Sequence, residues 1–191
     1  MKRVRLKEVV PQAWRNGGGS TQELLAWPAA ADLPGWHLRV SVARIAQDGP
    51  FSAYPGVMRH FAVLAGAGVE LSFGERVLQL TPKSEPLAFD GAAGPGCRLL
   101  GGATDDFNFM VRAGVGRSHL QRAEPGRAWK PAARWRGLYT HEAALLEHAG
   151  TEWPLEAGTL LWTDDAEAPA WTLHAAHAGH AFWLWLEEPA P

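Results

Sequence analysis

Two arginines in strand-like segments, Arg39 and Arg59, could clamp a carboxylate. A guanidinium offers a planar fork of N–H donors that matches the two carboxylate oxygens. Asn16 and Asn108 could read an amide or formyl group, because a carboxamide carries both a donor and an acceptor. Trp14 and Phe51 could supply apolar walls. Thr21 and Glu23 share one face of the segment that follows Gly17-Gly18-Gly19, and Ser41 shares the face of Arg39. Phe107 to Arg112 alternates in the same manner and puts Asp106, Asn108, Met110 and Arg112 together. A few convergent polar groups in an apolar lining are what a small-molecule site needs. The set predicts a ligand site formed by Trp14, Asn16, Thr21, Glu23, Arg39, Ser41, Phe51, Arg59, Asp106 and Asn108, suited to a small dicarboxylate.

Each motif also has a plainer reading. A polar strand face can look out to solvent, and Arg59 can form a structural ion pair with Asp106 or Glu23. The glycine triplet can be a bend into a strand. As a phosphate loop it lacks the Gly-Lys-Ser/Thr ending, since Ser20-Thr21 follow with no lysine. Ser20-x-x-Glu23 matches a helix capping box, but Thr21 to Trp27 reads as a strand. His174, His177 and His180 recur every third residue. In a strand-and-loop context that spacing splits them between faces, so no metal site is expected. Cys97 follows Gly94-Pro95-Gly96 in a turn that enters a strand, with no histidine nearby in sequence. There is no nucleophile elbow and no His-Glu-x-x-His, so no catalytic residue is predicted. Glu23, Asp106 and His60 could act as acid or base only if the fold brings them together.

The elements that must position these residues are strands. Val4–Val9 and Thr21–Trp27 open the chain. Trp36 to Val42 alternates, with Trp36, Leu38, Val40 and Val42 opposite His37, Arg39 and Ser41. Val69–Phe73 and Arg76–Leu80 flank Gly74-Glu75 as a hairpin. Leu87–Phe89, Arg98–Leu100 and Phe107–Val111 follow. The Arg-, Pro- and Gly-rich stretch from about 114 to 136 reads as a connector with room for a short helix. A second set of short strands then runs from Gly137 to Glu187. Many short strands at even spacing argue for an all-β barrel or sandwich. Two such sets predict two barrels, over residues 1–115 and 116–191, with strands open to exchange between them.

Composition narrows the function classes. The 191 residues carry a net charge of -2, with no basic block, so nucleic acid and anionic membrane are not expected partners. No apolar run is long enough for a membrane helix, and no apolar stretch follows the basic start as a signal peptide would require. A single cysteine fits a reducing, cytoplasmic setting. Ten Trp stand against two Tyr, and the indoles suit sheet packing better than a ligand cage.

Asp48 to Leu71 resembles the first motif of cupins, where two histidines and a glutamate hold a divalent metal. Counted back from Gly66, the glutamate position falls on Arg59, and the histidine positions fall near Ala53 and Pro55. A cation there repels a metal and favours an anion. Three segments together resemble the HutD/Ves family of small bicupin proteins: Pro11 to Leu24, Asp48 to Gly66 and Leu99 to Met110. The resemblance implies tandem cupin-like β-barrels of the RmlC-like jelly-roll type. It also implies a cytoplasmic bacterial protein, without metal or cofactor, that modulates histidine utilisation. The implied ligand is a small anionic metabolite, with N-formylglutamate or urocanate as candidates. A metal-independent enzyme acting on such a metabolite and a protein-interaction module of the same pathway remain alternatives, and a homodimer is an open assembly. Arg15 stands where the family often has Lys, and His60 where it often has an apolar residue or Thr.

Overall fold

Period-two alternation builds almost every element of this chain, because a strand sends successive side chains to opposite faces. The computed structural model describes residues 1–28, 35–174 and 181–189. The strands are β1 (Lys2–Arg5), β2 (Gln12–Ala13), β3 (Gly19–Trp27), β4 (Leu38–Ile45), β5 (Gly49–Pro50), β6 (Val57–Ala65), β7 (Val69–Phe73), β8 (Arg76–Leu80), β9 (Leu87–Asp90), β10 (Gly96–Leu99) and β11 (Thr104–Arg112). They continue with β12 (Ser118–Arg122), β13 (Ala128–Trp129), β14 (Trp135–Thr140), β15 (Ala144–His148), β16 (Thr151–Leu155), β17 (Thr159–Thr163), β18 (Trp171–His174) and β19 (Ala181–Leu186). No helix among the described residues is long and apolar enough to cross a membrane.

Two compact units result, one of Val9–Gly114 and one of Met1–Glu8 with the chain from Val115 onward. The first holds a sheet in the order β2-β3-β4-β11-β6-β9 and a second in the order β5-β10-β7-β8. The other unit holds β1-β17-β14-β19-β12 and β13-β18-β15-β16. The order β4-β11-β6-β9 thus recurs as β12-β19-β14-β17, and β5-β10-β7-β8 recurs as β13-β18-β15-β16. Each unit is an eight-strand antiparallel jelly roll, and the chain is the expected tandem of cupin-like barrels. Each barrel gains strands on a different edge: β3 beside β4 in the first, β1 beside β17 in the second. The pairing Lys2↔Trp162 to Arg5↔Thr159 makes the opening residues part of the second barrel.

The expected connector from about 114 to 136 is different in the structure. It contains no helix among the described residues; Ser118–Arg122 is instead β12, which pairs with β19 from Ser118↔Leu186 to Arg122↔Phe182. The flanking Arg, Pro and Gly residues obscured a five-residue strand whose stability comes from its partner rather than its own composition.

The Gly66-Ala67-Gly68 turn that closes β6 requires glycine. Gly66 and Gly68 have φ of 92° and 109°, where a side chain is strained, and a Cβ on Gly68 would overlap the Leu80 carbonyl. Below the cavity described next, Ile45, Phe61, Val63, Val69, Leu71 and Cys97 fill the first barrel.

The second barrel is filled differently. Leu138, Leu146, Leu161, Leu173, Trp171 and Trp183 form its core, and Trp129 stacks on Trp183 with ring centroids 4.3 Å apart. By strand position, Trp183 on β19 corresponds to Asn108 on β11, since the one pairs with Leu138 and the other with Phe61. Arg136 on β14 then corresponds to Arg59 on β6. Its Nη2 donates to the Ala168 and Pro169 carbonyls, at 2.6 and 2.5 Å, and its guanidinium lies 5.0 Å from the Trp171 ring centroid. Indoles occupy the space that the first barrel leaves open.

Candidate functional site

The register of three neighbouring strands lays the polar residues out in rows. Arg39, Met110 and Arg59 form one row across β4, β11 and β6. Ser41, Asn108 and Phe61 form the next, and Ala43, Asp106 and Val63 the one after. The polar face of β4 therefore points into the barrel and not to solvent; its other face buries Leu38, Val40 and Val42. Both faces of this strand are covered.

Arg59 is 9% exposed and Asn108 4%. Arg59 donates from both Nε and Nη2 to Asn108 Oδ1, at 2.9 and 2.6 Å. A guanidinium has donors only, so this pair fixes the orientation of the Asn108 amide. The Asn108 Nδ2 and the Arg59 Nη1 are the donors this pair leaves unused. The Arg59 guanidinium also lies over Phe51, 4.3 Å from the ring centroid, and 5.6 Å from Phe89, a favourable placement for a cation. Burial pushes its pKa down to about 10, with Tyr54 and Asp106 opposing the shift and Arg39 adding to it. Arg59 thus stays charged at neutral pH. It makes no ion pair among the described residues, with Asp106, Glu23 or any other acid.

The cavity above this pair has a volume of about 540 Å³. Trp14, Asn16, Thr21, Arg39, Ser41, Phe51, Arg59 and Asn108 all line it. The β2–β3 hairpin carries three of them: Trp14 N donates to Gly19 O at 2.9 Å, and Gly17 N to Trp14 O at 3.0 Å. Within it, Trp14 Nε1 donates to Thr21 Oγ1 at 2.8 Å, and Gly18 N to Asn16 Oδ1 at 3.0 Å. The Asn16 carbonyl is thereby engaged in its own turn.

Two residues of the expected set do not line the cavity. Glu23 accepts from Arg39 Nε at 2.5 Å, and this bond does not use the Nη groups of Arg39. Asp106 is wholly buried beside Asn108. Its Oδ2 accepts from Thr104 Oγ1 at 2.9 Å, while Oδ1 has no hydrogen-bond partner among the described residues. Sequence reasoning missed Tyr54, Phe61 and Met110 as lining residues. Phe61 and Met110 were legible in principle, each two residues from a named candidate on the same strand face.

His60, alternate to Arg59, lies on the opposite face of β6 and stacks on Phe109 at 5.5 Å. The face it occupies is that of Phe109, not the face that carries Arg59. Cys97 is buried, and desolvation pushes its thiol up to about 12, far from a thiolate nucleophile. No three His, Cys, Asp or Glu among the described residues are grouped to hold a metal ion. His174 contacts Glu147 at 3.2 Å; His177 and His180 lie outside the described residues.

The HutD family model matches residues 6–183. The chain belongs to the HutD family. Among solved structures, this HutD-family chain is similar to HutD from Pseudomonas fluorescens SBW25, with a TM-score of 0.85 and 27% identity over 99% of both chains. It shares its fold with a conserved protein of unknown function from Pseudomonas aeruginosa PAO1, with a TM-score of 0.84, 24% identity and 99% of both chains covered. A Pseudomonas putida protein described as an uncharacterized 21.2 kDa protein in the hutC 3' region is 35% identical over 62% of this HutD-family chain and 62% of its own length. The match thus spans less than two thirds of that relative.

Proposed function

We propose that this HutD-family chain binds a small anionic metabolite in the first barrel and modulates histidine utilisation by sensing or sequestering it. The observation that carries the reading is the Arg59–Asn108 pair. Because Asn108 turns its only acceptor onto Arg59, the groups it leaves facing the cavity are N–H donors beside a fixed positive charge. Such a surface favours a carboxylate. Asn108 can read a formyl or carboxylate oxygen but not an N–H, which sharpens its expected role.

Arg39 and Arg59 stand in one row on strands separated by β11, so their backbones are about 10 Å apart. That separation suits an anion with two carboxylates on a short chain, such as N-formylglutamate. Urocanate, with one carboxylate and a flat ring, would use Arg59 and the aromatic walls. The link to histidine utilisation is supported by the hutC-region description of the Pseudomonas putida relative. No DNA role is proposed for a chain of net charge -2.

Calorimetry of the chelator-treated protein against N-formylglutamate, urocanate, histidine and glutamate tests this, with product analysis of the same samples. Saturable heat with the ligand intact is expected. No heat with any of the four in a folded sample would overturn the reading in favour of a protein partner. Conversion of the ligand would replace binding with catalysis.

A further inference from the structure

Asp106 is a buried acid that the binding reading leaves without a task. It sits one row from Asn108 on the inward face of β11, at a register shift between Asp105 and Asp106 in the pairing with β6. One carboxylate oxygen is bonded to Thr104 and the other has no hydrogen-bond partner among the described residues. A carboxylate so enclosed is costly unless it is neutral or serves a nearby cation. The nearby cation is Arg59, which Asp106 helps to hold charged.

We infer that Asp106 is the proton-holding residue of the anion site: an anion seated on Arg59 and Asn108 draws a proton onto the Asp106 carboxylate, so the barrel takes up ligand and proton together. This rests on the anion-binding reading above. The step forms one O–H bond on Asp106 with a proton from solvent and breaks no bond in the ligand.

The cause is competition for Arg59. Without ligand, Asp106 is a buried acid sharing the field of that guanidinium. A ligand carboxylate on Asn108 takes the same field and adds its own negative charge within about 10 Å of Asp106, since the two residues stand one strand row, about 7 Å, apart along β11. At that range a unit charge in a protein interior shifts an ionisation by more than tenfold. The groups facing Asp106 are few. Arg59 comes from β6, the neutral Cys97 thiol from β10, and Asp105 from β11 itself. Asp105 is engaged by Arg44 of β4 at 3.1 Å, and the β4 residue opposite Asp106 is Ala43. Burial already raises Asp106 to about 7, with Thr104 lowering it, Asp105 raising it and Arg59 lowering it. The carboxyl is therefore divided between its two states near neutrality and responds to a small change in field.

The test uses the full chain and N-formylglutamate, whose carboxylates are ionised and whose amine is blocked near neutral pH, so that the ligand itself takes up no proton. Binding is followed by calorimetry, and proton uptake by a pH electrode in unbuffered salt at about pH 7.5. A fraction of a proton should enter per ligand bound. Affinity should fall as pH rises above the Asp106 midpoint, approaching about tenfold per pH unit. Asp106→Asn should bind with no uptake and a flat pH profile. Thr104→Val retains the acid without the hydroxyl bond that stabilises its charge, and should move the pH midpoint upward even if Asp106→Asn folds poorly. Binding without uptake, or uptake that survives in Asp106→Asn, overturns this inference and leaves the anion site standing. Absence of any binding overturns both.

Discussion

Arg59 reaches Asn108 through two N–H groups that converge on a single oxygen, at 2.9 and 2.6 Å, inside the first barrel. The strand register places these residues one row apart on β6 and β11, and both line the cavity. Under the proposed anion-binding function, that relationship sets which ligands the cavity takes.

Arg59→Ala removes the charge and should weaken carboxylate binding roughly 10- to 100-fold, the worth of a charge-assisted hydrogen bond. Arg59→Lys should recover only part, because an ammonium cannot span Asn108 and a ligand with one planar fork. Titration calorimetry reads both, with circular dichroism to show that the barrel is retained. Normal binding by Arg59→Ala would remove the clamp from consideration.

Asn108→Asp should separate stability from binding. An aspartate would meet Arg59 as an ion pair but would face the cavity with a second negative oxygen instead of an N–H pair. Carboxylate binding should be lost while the melting temperature stays near that of the parent. Asn108→Leu should instead lower stability by about 1–3 kcal/mol, since Arg59 loses its buried acceptor. Denaturant titration distinguishes the two.

The raised Asp106 pKa carries a sign for stability. Its value of about 7 in the fold lies above the 3.8 of an unperturbed aspartate. The fold therefore prefers the protonated form, and its contribution is full at low pH and is lost as pH rises towards 7. Asp106→Asn should match the parent in stability below about pH 4 and exceed it by on the order of 2–4 kcal/mol above about pH 7. Thermal melts across pH would show the gap opening with increasing pH; a gap that opens with decreasing pH would contradict the assignment.

Cys97 should resist thiol reagents. It is buried and its thiol is pushed up to about 12, so folded protein near pH 8 should react with a disulfide reagent orders of magnitude more slowly than unfolded protein. Prompt labelling of the folded chain would mean that the barrel opens beside β10.

Period-two alternation in Leu38–Val42 and Phe107–Arg112 was enough to set Arg39 with Ser41 and Asp106 with Asn108. It could not say which face was inward, because β4 and β11 bury both. The protein partner of Arg59 stays open in the sequence for a related reason. Asp106 and Glu23 attract it by charge, but only register shows that Asn108 stands nearer and that Arg39 takes Glu23. Ser118–Arg122 was hidden because its strand character comes from β19 and not from its own residues. The indoles suit sheet packing by type, and Trp129, Trp171 and Trp183 do pack inside the second barrel, yet nothing in the sequence says that they close it.

The pairing of β1 with β17 also sets an order of events at the ribosome. Arg5 emerges early, but its strand partner Thr159 lies roughly 150 residues later, on the order of ten seconds of synthesis. Residues 9–114 carry all the strands of the first barrel and can close meanwhile. The opening strand must wait unpaired until the second barrel arrives, which makes that interval the moment when a nascent chain is most exposed to a wrong partner.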